Sequence, residues 1–397
     1  MDNIFSDRIT DVPRSFIREI LKVALDPTVI SFAGGLPNRE LFPVDEIKEA
    51  TNKVFSRHGR DIFQYSNSEG YLKLREYIAE RYRKKKRLVV SVEDILITSG
   101  SQQGLDLLGK IFLNDGDRLI IEEPGYLGAI QAMSLYKPKF IPIRVTQEGM
   151  DTAKLQKALS AEKPKLMYTV PNFQNPSGNT YSSENRIEIS NILRGTHTLL
   201  IEDDPYCELR FEGEDKQSFK ELLPENTVLL GSFSKIIIPG FRLGWLVAPR
   251  FIMEKLIIAK QAADLHTSHF TQAIICQYLN DNDIDTHITK IQTAYGNQCK
   301  AMIGSIRKHF PPDVSHTRPE GGMFVWAELP KNAVSLDLFE IALKDKVIFV
   351  PGDPFYVNKT RTNTMRLNFS CVDEKTIEIG ISRLGKAIQE LLQNMKE

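Results

Sequence analysis

The 397-residue sequence lacks several features that would place it in a specialised class of protein. Its four cysteines lie far apart and form no C-x-x-C pair, which argues against a disulfide framework or a zinc site. Lys plus Arg and Asp plus Glu both number 51, so no overall charge recruits nucleic acid or an anionic membrane. No apolar run is long enough to span a bilayer, and the N-terminus lacks the apolar core of a secretory signal. These absences predict a cytoplasmic protein that has neither a nucleic-acid partner nor a membrane partner.

The composition is that of an ordinary globular protein, with 42% hydrophobic and 26% charged residues. Because 397 residues exceed what one hydrophobic core usually serves, the length predicts two domains. From about Val44, helical segments alternate with short apolar runs, a pattern typical of a largely parallel α/β sheet. The runs are DILITSG, DRLIIEEPG, KFIPIRV, KLMYTVP, TLLIEDDPY, TVLLGSFSK and RLGWLVAP.

The pattern changes after about Asp285, where a long helix precedes shorter strands such as GMFVWAEL and TMRLNFS. We therefore predict an α/β fold: a large domain with a mostly parallel sheet flanked by helices, and a smaller α+β domain. The predicted divisions are an N-terminal helix and loop (1–43) joining the small domain, the large domain (44–285) and the C-terminal small domain (286–397).

The stretch GSFSKIIIPGFRLGW, residues 231–245, places a lone lysine, Lys235, between small hydroxyl residues and an apolar run. Burial of an ammonium group costs several kcal/mol unless the group is paired or neutralised. A lysine in these surroundings either has a lowered pKa or is used covalently.

Polar residues follow several of the predicted strands, and in open α/β sheets the carboxyl ends of strands border the ligand crevice. DILITSG leads into a Gly-Ser-Gln turn and a helix whose free N–H groups suit a phosphate. One crevice would then hold a phosphate cradle, an aromatic plane, an amide, a carboxylate, a phenol and a lysine. The residues at the strand ends are Tyr126, Asn175, Asp203, Tyr206 and Lys235.

Ordered along the chain, these motifs resemble those of the pyridoxal-phosphate-dependent aminotransferases of fold type I, class I/II. The motifs are SGSQQG, EPGY, PNFQNPSG, EDDPY, SFSK with GFRLGW, and MRLNFS. The loop AGGLPNRELFP, with SFIREILK before it, is similar to the aminoadipate/kynurenine branch. The resemblance extends from about Arg14 to Ser370. One departure is Ile238, where the family usually has a small residue.

The resemblance implies that pyridoxal 5'-phosphate is the cofactor and that Lys235 binds it as a Schiff base. Asp203 would then keep the ring nitrogen protonated by charge pairing. Asp204 is the alternative carboxylate, because neighbouring strand residues point to opposite faces.

Further residues are implied in binding the rest of the cofactor. Asn175 and Tyr206 would hydrogen-bond the ring's phenolate oxygen, and Tyr126 would lie on the ring face. The alternatives are an ordinary Asn-Pro turn for Asn175 and a buried core tyrosine for Tyr126. The phosphate would be bound by the helix start and by hydroxyl and guanidinium donors, namely Gly100, Ser101, Gln102, Ser232, Ser234 and Arg242.

Two of the implied cofactor residues have alternatives that remain open. Arg242 has the alternative of a surface ion pair. Tyr65 resembles the tyrosine that family members contribute across a dimer interface to the neighbour's phosphate, and its alternative is a core tyrosine. The resemblance therefore implies a homodimer.

For the substrate, Arg366 in MRLNFS matches the family's arginine for the α-carboxylate, and a planar guanidinium suits bidentate binding. Asn175 would assist it, and Gly34 and Gly35 would let the N-terminal loop approach the substrate. Arg18 is similar in position to an arginine that some relatives use for a distal carboxylate. The alternatives are an edge-strand surface arginine for Arg366, a simple turn for the glycines and an exposed helix arginine for Arg18.

The sequence thus predicts an aminotransferase that moves an amino group between an L-amino acid and a 2-oxo acid such as 2-oxoglutarate. The donor is left open among 2-aminoadipate, aromatic and aliphatic amino acids. Lys235 would serve as general base and acid, with Asp203 and Tyr206 as the other catalytic residues. Alternatives are β-elimination on the same scaffold and a non-catalytic sensor, though too few residues precede SFAGG for a DNA-binding domain. We expect the basic run 81–87 to be a solvated helix end, and we expect no metal site at His266 and His269.

Overall fold

The computed structural model describes residues 4–10, 20, 26–358 and 360–396. Most of the predicted N-terminal helix SFIREILKVAL, with Arg18, lies outside the described residues. Ile20 is described, and it is helical and buried.

The described strands form a large sheet, a four-stranded sheet and a two-stranded ribbon. In chain order they are β1 (Ile30–Ser31), β2 (Ile95–Thr98), β3 (Arg118–Glu123), β4 (Lys139–Thr146), β5 (Gly149–Met150), β6 (Leu166–Thr169), β7 (Leu199–Asp203), β8 (Thr227–Ser232), β9 (Gly244–Val247), β10 (Ser315–His316), β11 (Phe324–Glu328), β12 (Val347–Ile348), β13 (Val350–Pro351) and β14 (Thr364–Asn368).

The described helices surround these sheets and connect their strands. They are α1 (Asp7–Thr10), α2 (Val44–His58), α3 (Leu72–Lys86), α4 (Ser101–Phe112), α5 (Leu127–Ser134), α6 (Thr152–Glu162), α7 (Ser183–Leu193), α8 (Phe219–Leu222), α9 (Arg250–Asp264), α10 (His269–Asp281), α11 (Ile284–His309), α12 (Ser335–Lys344) and α13 (Glu374–Asn394). Short 3-10 turns span Arg39–Leu41, Asp61–Phe63, Val92–Asp94, Cys207–Leu209 and Asp353–Phe355.

The large sheet has the strand order β2-β9-β8-β7-β6-β3-β4-β5. Its central pairs, from β8 through β7, β6 and β3 to β4, are parallel, whereas β9 and β5 run antiparallel to their neighbours. Every residue of β2, β6, β7, β8 and β9 is buried, because helices cover both faces of a parallel sheet. The predicted α/β class is confirmed, and the seven predicted apolar runs all contain strands of this sheet.

The smaller sheet is antiparallel, with the order β10-β11-β14-β13. The ribbon pairs β1 with β12, so Ile30 of the N-terminal segment lies opposite Val347 of the predicted C-terminal domain. The long helix that the sequence predicts is α11, which packs along α13. The large sheet falls within the predicted range 44–285 and the smaller sheet within 286–397, while the boundaries themselves stay a prediction.

The basic run at 81–87 ends helix α3, and Arg87 follows as its left-handed cap. Lys85 pairs with Asp285 and Lys86 with Asp215, both on other elements, whereas Arg83 and Lys84 are exposed and pair with Glu80 of the same helix. The run is therefore a helix end held by ion pairs. Among the helices of the described ranges, none combines the length and the apolar character that crossing a bilayer requires.

Candidate active site

A cavity of about 420 Å³ lies beyond the carboxyl ends of β7 and β8, where loops of the large sheet meet the smaller sheet. Most of the predicted site residues line it, although they come from distant parts of the chain. These are Gly35, Ser101, Gln102, Tyr126, Asn175, Asp203, Tyr206, Ser232, Ser234, Lys235, Arg242 and Arg366. The other lining residues are Leu127, Gly128, Gln131, Val170, Pro205 and Phe355.

Lys235 follows β8 and points its amine into this cavity. Its Nζ donates a hydrogen bond to the Gly35 carbonyl oxygen at 2.9 Å and lies 6.0 Å from the centre of the Tyr206 ring. Burial, assisted by the positive charges of Arg366 and Arg242, lowers the pKa of Lys235 to about 8. A larger fraction of this amine is therefore neutral and nucleophilic close to physiological pH than for an ordinary lysine.

Asp203, the last residue of β7, is a carboxylate that is only 1% exposed. Tyr168 on the neighbouring strand β6 donates a hydrogen bond to its Oδ2 at 2.7 Å, whereas its buried Oδ1 has no hydrogen-bond partner among the described residues. Burial raises the pKa of Asp203 to about 7, although the bond from Tyr168 opposes the shift. The cavity thus presents a free carboxylate oxygen that a cationic group would stabilise.

Asp204, the alternative carboxylate, points to the other side of the strand. It accepts a hydrogen bond from Asn172 Nδ2 at 2.8 Å and lines a separate small cavity beside Tyr82 and Trp245. The two neighbouring aspartates therefore occupy different environments, as alternation along a strand requires.

A chain of hydrogen bonds connects the two sheets across the cavity. Arg366 Nη1 donates to Asn175 Oδ1 at 2.8 Å, and Asn175 Nδ2 donates to the Tyr206 hydroxyl at 3.3 Å. All three side chains are buried. The phenol of Tyr206 packs edge-on against Phe324 of β11, and burial raises its pKa above the usual range.

Arg366 is 3% exposed and lies in β14, which has a partner strand on either side. Its guanidinium carbon is 4.5 Å from the Phe324 ring centre and 5.2 Å from that of Phe355, so the plane is held by aromatic faces. Nη2 donates to the Ala33 carbonyl at 2.7 Å, and the buried Nε has no partner in the part of the chain that the structure describes. Burial lowers its pKa to about 10, which leaves the cation available for an anionic ligand.

The opposite end of the cavity is the start of helix α4. Gly100 has a φ of 79°, and a Cβ at this position would lie 2.6 Å from Arg242 Nη2, so the backbone here approaches the guanidinium closely. Arg242 itself adopts the left-handed region with a φ of 53° after the turn at Pro239. The free N–H groups of α4 and this cation together favour an anion.

Hydroxyl and aromatic side chains complete this end. Ser232 and Ser234 are buried, and Ser232 Oγ accepts a hydrogen bond from the Ser234 backbone at 3.1 Å. Tyr126 precedes helix α5, and burial raises its pKa to about 12. Gln102 donates to the Gly128 carbonyl at 2.8 Å, which ties the two helix starts together.

The N-terminal loop at Gly35 is fastened to the smaller sheet. Asn368 N donates to the Phe32 carbonyl at 2.8 Å, and the Leu36 carbonyl accepts bonds from Ser370 Oγ and Cys371 Sγ, both at 2.9 Å. Gly34 is buried beside Gly35 and does not line the cavity. The loop thereby presents its carbonyl groups to the cavity.

Besides Gly34, the predicted Gly100 does not itself line the cavity, although its neighbour Ser101 does, and Tyr65 and Arg18 are not placed there either. Tyr65 is 80% exposed, far from a core position, and its ring packs edge-on against His266. Arg18 lies outside the described residues. His266 also accepts a hydrogen bond from the Ser66 backbone at 3.2 Å, and His269 packs against Tyr71.

Sequence reasoning missed the residues that support the site from behind. Tyr168 and Phe355 were not singled out, although each contacts a charged group of the cavity. Glu122 is fully buried, and burial raises its pKa; it accepts hydrogen bonds from Thr169, Tyr181 and Gln174. Since Gln174 precedes Asn175, this network positions the amide. The only available signal was a carboxylate inside an apolar strand, IIEEPG.

Comparison with known proteins identifies the family. The family described as aminotransferase class I and II matches residues 27–384. Aromatic-amino-acid aminotransferase 1 of Thermococcus litoralis is 41% identical over 395 residues, which cover 98% of this chain and 95% of the relative. The chain belongs to the class I and II aminotransferases.

Two solved structures extend this similarity to the fold. Kynurenine aminotransferase of Pyrococcus horikoshii, in complex with PMP, KYN and KYA, has a TM-score of 0.93 at 39% identity, with 98% of this chain and 97% of that chain covered. LysN, the alpha-aminoadipate aminotransferase of Thermus thermophilus, complexed with N-(5'-phosphopyridoxyl)-L-leucine, has a TM-score of 0.92 at 38% identity, with 98% of both chains covered. The aminotransferase described here is thus an enzyme that transfers an amino group between an amino acid and a 2-oxo acid, as the sequence predicted.

The lowered pKa of Lys235 makes a prediction that needs no substrate. In the ligand-free aminotransferase, brief acylation followed by peptide mass spectrometry should label Lys235 with a midpoint near pH 8. Ordinary lysines become reactive around their pKa of about 10.4. In denaturant, the midpoint pH for labelling of Lys235 should return to the value of ordinary lysines. If labelling of Lys235 in the native protein has the same pH dependence as labelling of the other lysines, the assigned environment is wrong.

Proposed function

We propose that this aminotransferase uses pyridoxal 5'-phosphate, bound covalently by Lys235, to move amino groups between L-amino acids and 2-oxo acids. The observation that carries the proposal is the pairing of two groups in one cavity: a lysine of lowered pKa and a buried carboxylate with an unpartnered oxygen. The complexes of the P. horikoshii and T. thermophilus relatives with PMP and a phosphopyridoxyl compound support it.

The residues of the cavity fit this cofactor at both of its charged positions. Asp203 Oδ1 would accept a hydrogen bond from the protonated ring nitrogen, and this positive charge would bring the pKa of Asp203 back down. The start of helix α4, with Arg242, Ser232 and Ser234, would bind the phosphate. Tyr126 would cover a face of the ring.

The cofactor supplies an aldehyde that captures amines and a ring that withdraws electrons from the carbon bearing the nitrogen. Lys235 would hold the aldehyde between turnovers and, once displaced by substrate, would carry the proton between two carbons as base and then acid. Its pKa of about 8 suits both roles near neutral pH. Tyr206 and Asn175, already hydrogen-bonded to each other, would orient the ring oxygen.

Arg366 would bind the substrate α-carboxylate. Its aromatic neighbours and its bond to Asn175 fix the guanidinium plane, and a carboxylate would satisfy the unpartnered Nε. For the side chain of the donor, the named activities of the relatives suggest aromatic and 2-aminoadipate-like substrates. We propose glutamate and 2-oxoglutarate as one substrate pair, with Arg18 binding the distal carboxylate.

The proposed assembly is a homodimer. An aromatic surface cluster of Phe55, Phe63 and Phe270 has ring centres 5.3 to 6.0 Å apart, and Phe63 is 68% exposed. Exposed apolar clusters of this kind favour a protein partner, and a second copy of this chain is the partner that the family resemblance implies. Tyr65, two residues from Phe63, would extend from this surface to the neighbour's phosphate.

The covalent anchor provides the direct test of the proposed function. Protein purified with the cofactor should be yellow, and borohydride should fix a pyridoxyl group on Lys235. Lys235→Ala should abolish nearly all transfer from a panel of amino donors to several 2-oxo acids. Label on a different lysine would overturn the assignment, and pyruvate release without amine transfer would indicate elimination instead.

The two aspartates provide a matched pair of variants. Asp203→Asn should lower turnover at least about a hundredfold while the protein stays folded, because the ring nitrogen loses its counter-charge. Asp204→Asn, which alters a hydrogen bond outside the cavity, should have a much smaller effect. Steady-state kinetics with one donor compares them. The opposite order would show that Asp204 is the functional carboxylate.

Variants of Arg18 and Arg366 should distinguish binding of the distal carboxylate, which only some donors have, from binding of the α-carboxylate, which all donors share. Arg18→Ala should weaken the binding of glutamate or aminoadipate by about 1.5–3 kcal/mol, the value of a charged hydrogen bond, and should barely affect leucine or aromatic donors. Arg366→Ala should weaken all donors alike, since each has the same α-carboxylate. Specificity constants for each donor provide the comparison. Equal losses for both classes of donor in Arg18→Ala would remove Arg18 from the specificity site.

A further inference from the structure

A second buried lysine lies next to the proposed phosphate end of the cavity. Lys260, on helix α9, is 0% exposed. Its Nζ donates to Gln103 Oε1 at 2.6 Å and to Thr267 Oγ1 at 2.8 Å, and it lies 2.7 Å from Asp264 Oδ1. A fully buried ammonium is retained only where its desolvation is offset, and here the oxygens of three side chains do so.

Gln103 connects this lysine to the turn before helix α4. The Ser99 backbone N–H donates to Gln103 Oε1 at 2.8 Å, and Gln103 Nε2 donates to Asp264 Oδ2 at 2.8 Å. One amide oxygen therefore accepts from both Lys260 and Ser99. Together, Ser99, Gln103, Lys260, Asp264 and Thr267 form what we call the turn-support cluster.

The turn held by this cluster carries the backbone of the anion site. Ser99 directly precedes Gly100, whose carbonyl accepts a bond from Thr98 Oγ1 at 2.9 Å. Gly100 faces the Arg242 guanidinium, and Ser101 begins α4 and lines the cavity. A shift of Ser99 would therefore move the donors of the helix start relative to Arg242. Lys260 itself does not line the cavity, so it acts through Gln103 and Ser99.

We propose that Lys260 and Gln103 are positioning residues that hold the Ser99–Ser101 turn in the conformation that binds the phosphate group of the cofactor. The proposal rests on the proposed function, because that function assigns the phosphate to this helix start. It predicts that the turn-support cluster affects the affinity for the phosphate and leaves contacts with the rest of the cofactor unchanged.

Paired titrations of the cofactor-free enzyme isolate that contribution. Dissociation constants are measured for pyridoxal 5'-phosphate and for pyridoxal, which has the same ring and aldehyde but no phosphate. Lys260→Met keeps the length and apolar stem of the side chain and removes the charge. Gln103→Met removes the shared acceptor without deleting the lysine. Lys255→Met, at an exposed position on the same helix, is the matched control.

We expect Lys260→Met and Gln103→Met to weaken the binding of pyridoxal 5'-phosphate at least about tenfold, a loss of about 1.4 kcal/mol. The affinity for pyridoxal should stay unchanged. Lys255→Met should alter neither. If the folded variants bind both ligands equally more weakly, or bind neither more weakly, the positioning role is overturned. If Lys260→Met does not fold, the result for Gln103→Met decides. A wild-type enzyme that binds both ligands equally would instead overturn the proposed function, so the two failures are distinguishable.

Discussion

The central feature of the cavity is a set of charged groups whose hydrogen-bond partners, among the described residues, are all neutral. Asp203 accepts from a phenol, Arg366 donates to an amide and a backbone carbonyl, and Lys235 donates to another carbonyl. Burial shifts the pKa of each group in the direction that favours its neutral form. An opposite charge supplied by a ligand would therefore stabilise the charged form. In the proposed function, the ring nitrogen and the substrate carboxylate are these opposite charges. The electrostatic complement to the ligand is built before the ligand arrives, which is the arrangement that makes such interactions effective in catalysis.

The sequence predicted the parts of this site that follow from strand geometry. Alternation along TLLIEDDPY predicted that Asp203 and Asp204 point to opposite faces, and the structure places them in different environments. Parallel strands end at one edge, so Asp203 and Lys235 were expected together although they are far apart in sequence. The contribution of Arg366 required more than this rule. It belongs to a different sheet, and only the resemblance to a family associated it with the cavity.

Side chains that act through contacts between distant parts of the chain could not be predicted from the sequence. Lys260 contacts Gln103 across 157 residues, and in the sequence it resembles any charged residue of an amphipathic helix. Tyr168 sits in an apolar strand, where a tyrosine is typical of β-structure, and nothing local indicates its bond to Asp203. Such contacts depend on which helices and strands pack together. Periodicity predicts the elements, but the pairing of particular polar atoms between them arises only in the folded chain.

Carbonyl groups of the N-terminal loop accept hydrogen bonds from the cationic side chains of the cavity. Gly35 accepts from Lys235, and Ala33 accepts from Arg366, so two nearby carbonyls of one loop hold both groups. A substrate carboxylate would replace the neutral Ala33 acceptor with a charged one, and charge-assisted hydrogen bonds are roughly twice as strong. In the proposed function, Arg366 would thus keep an acceptor until the ligand arrives and would then gain a stronger one. The same loop is fastened to the smaller sheet at Asn368 and Ser370, so its carbonyl groups keep their position relative to Arg366 on strand β14 of that sheet.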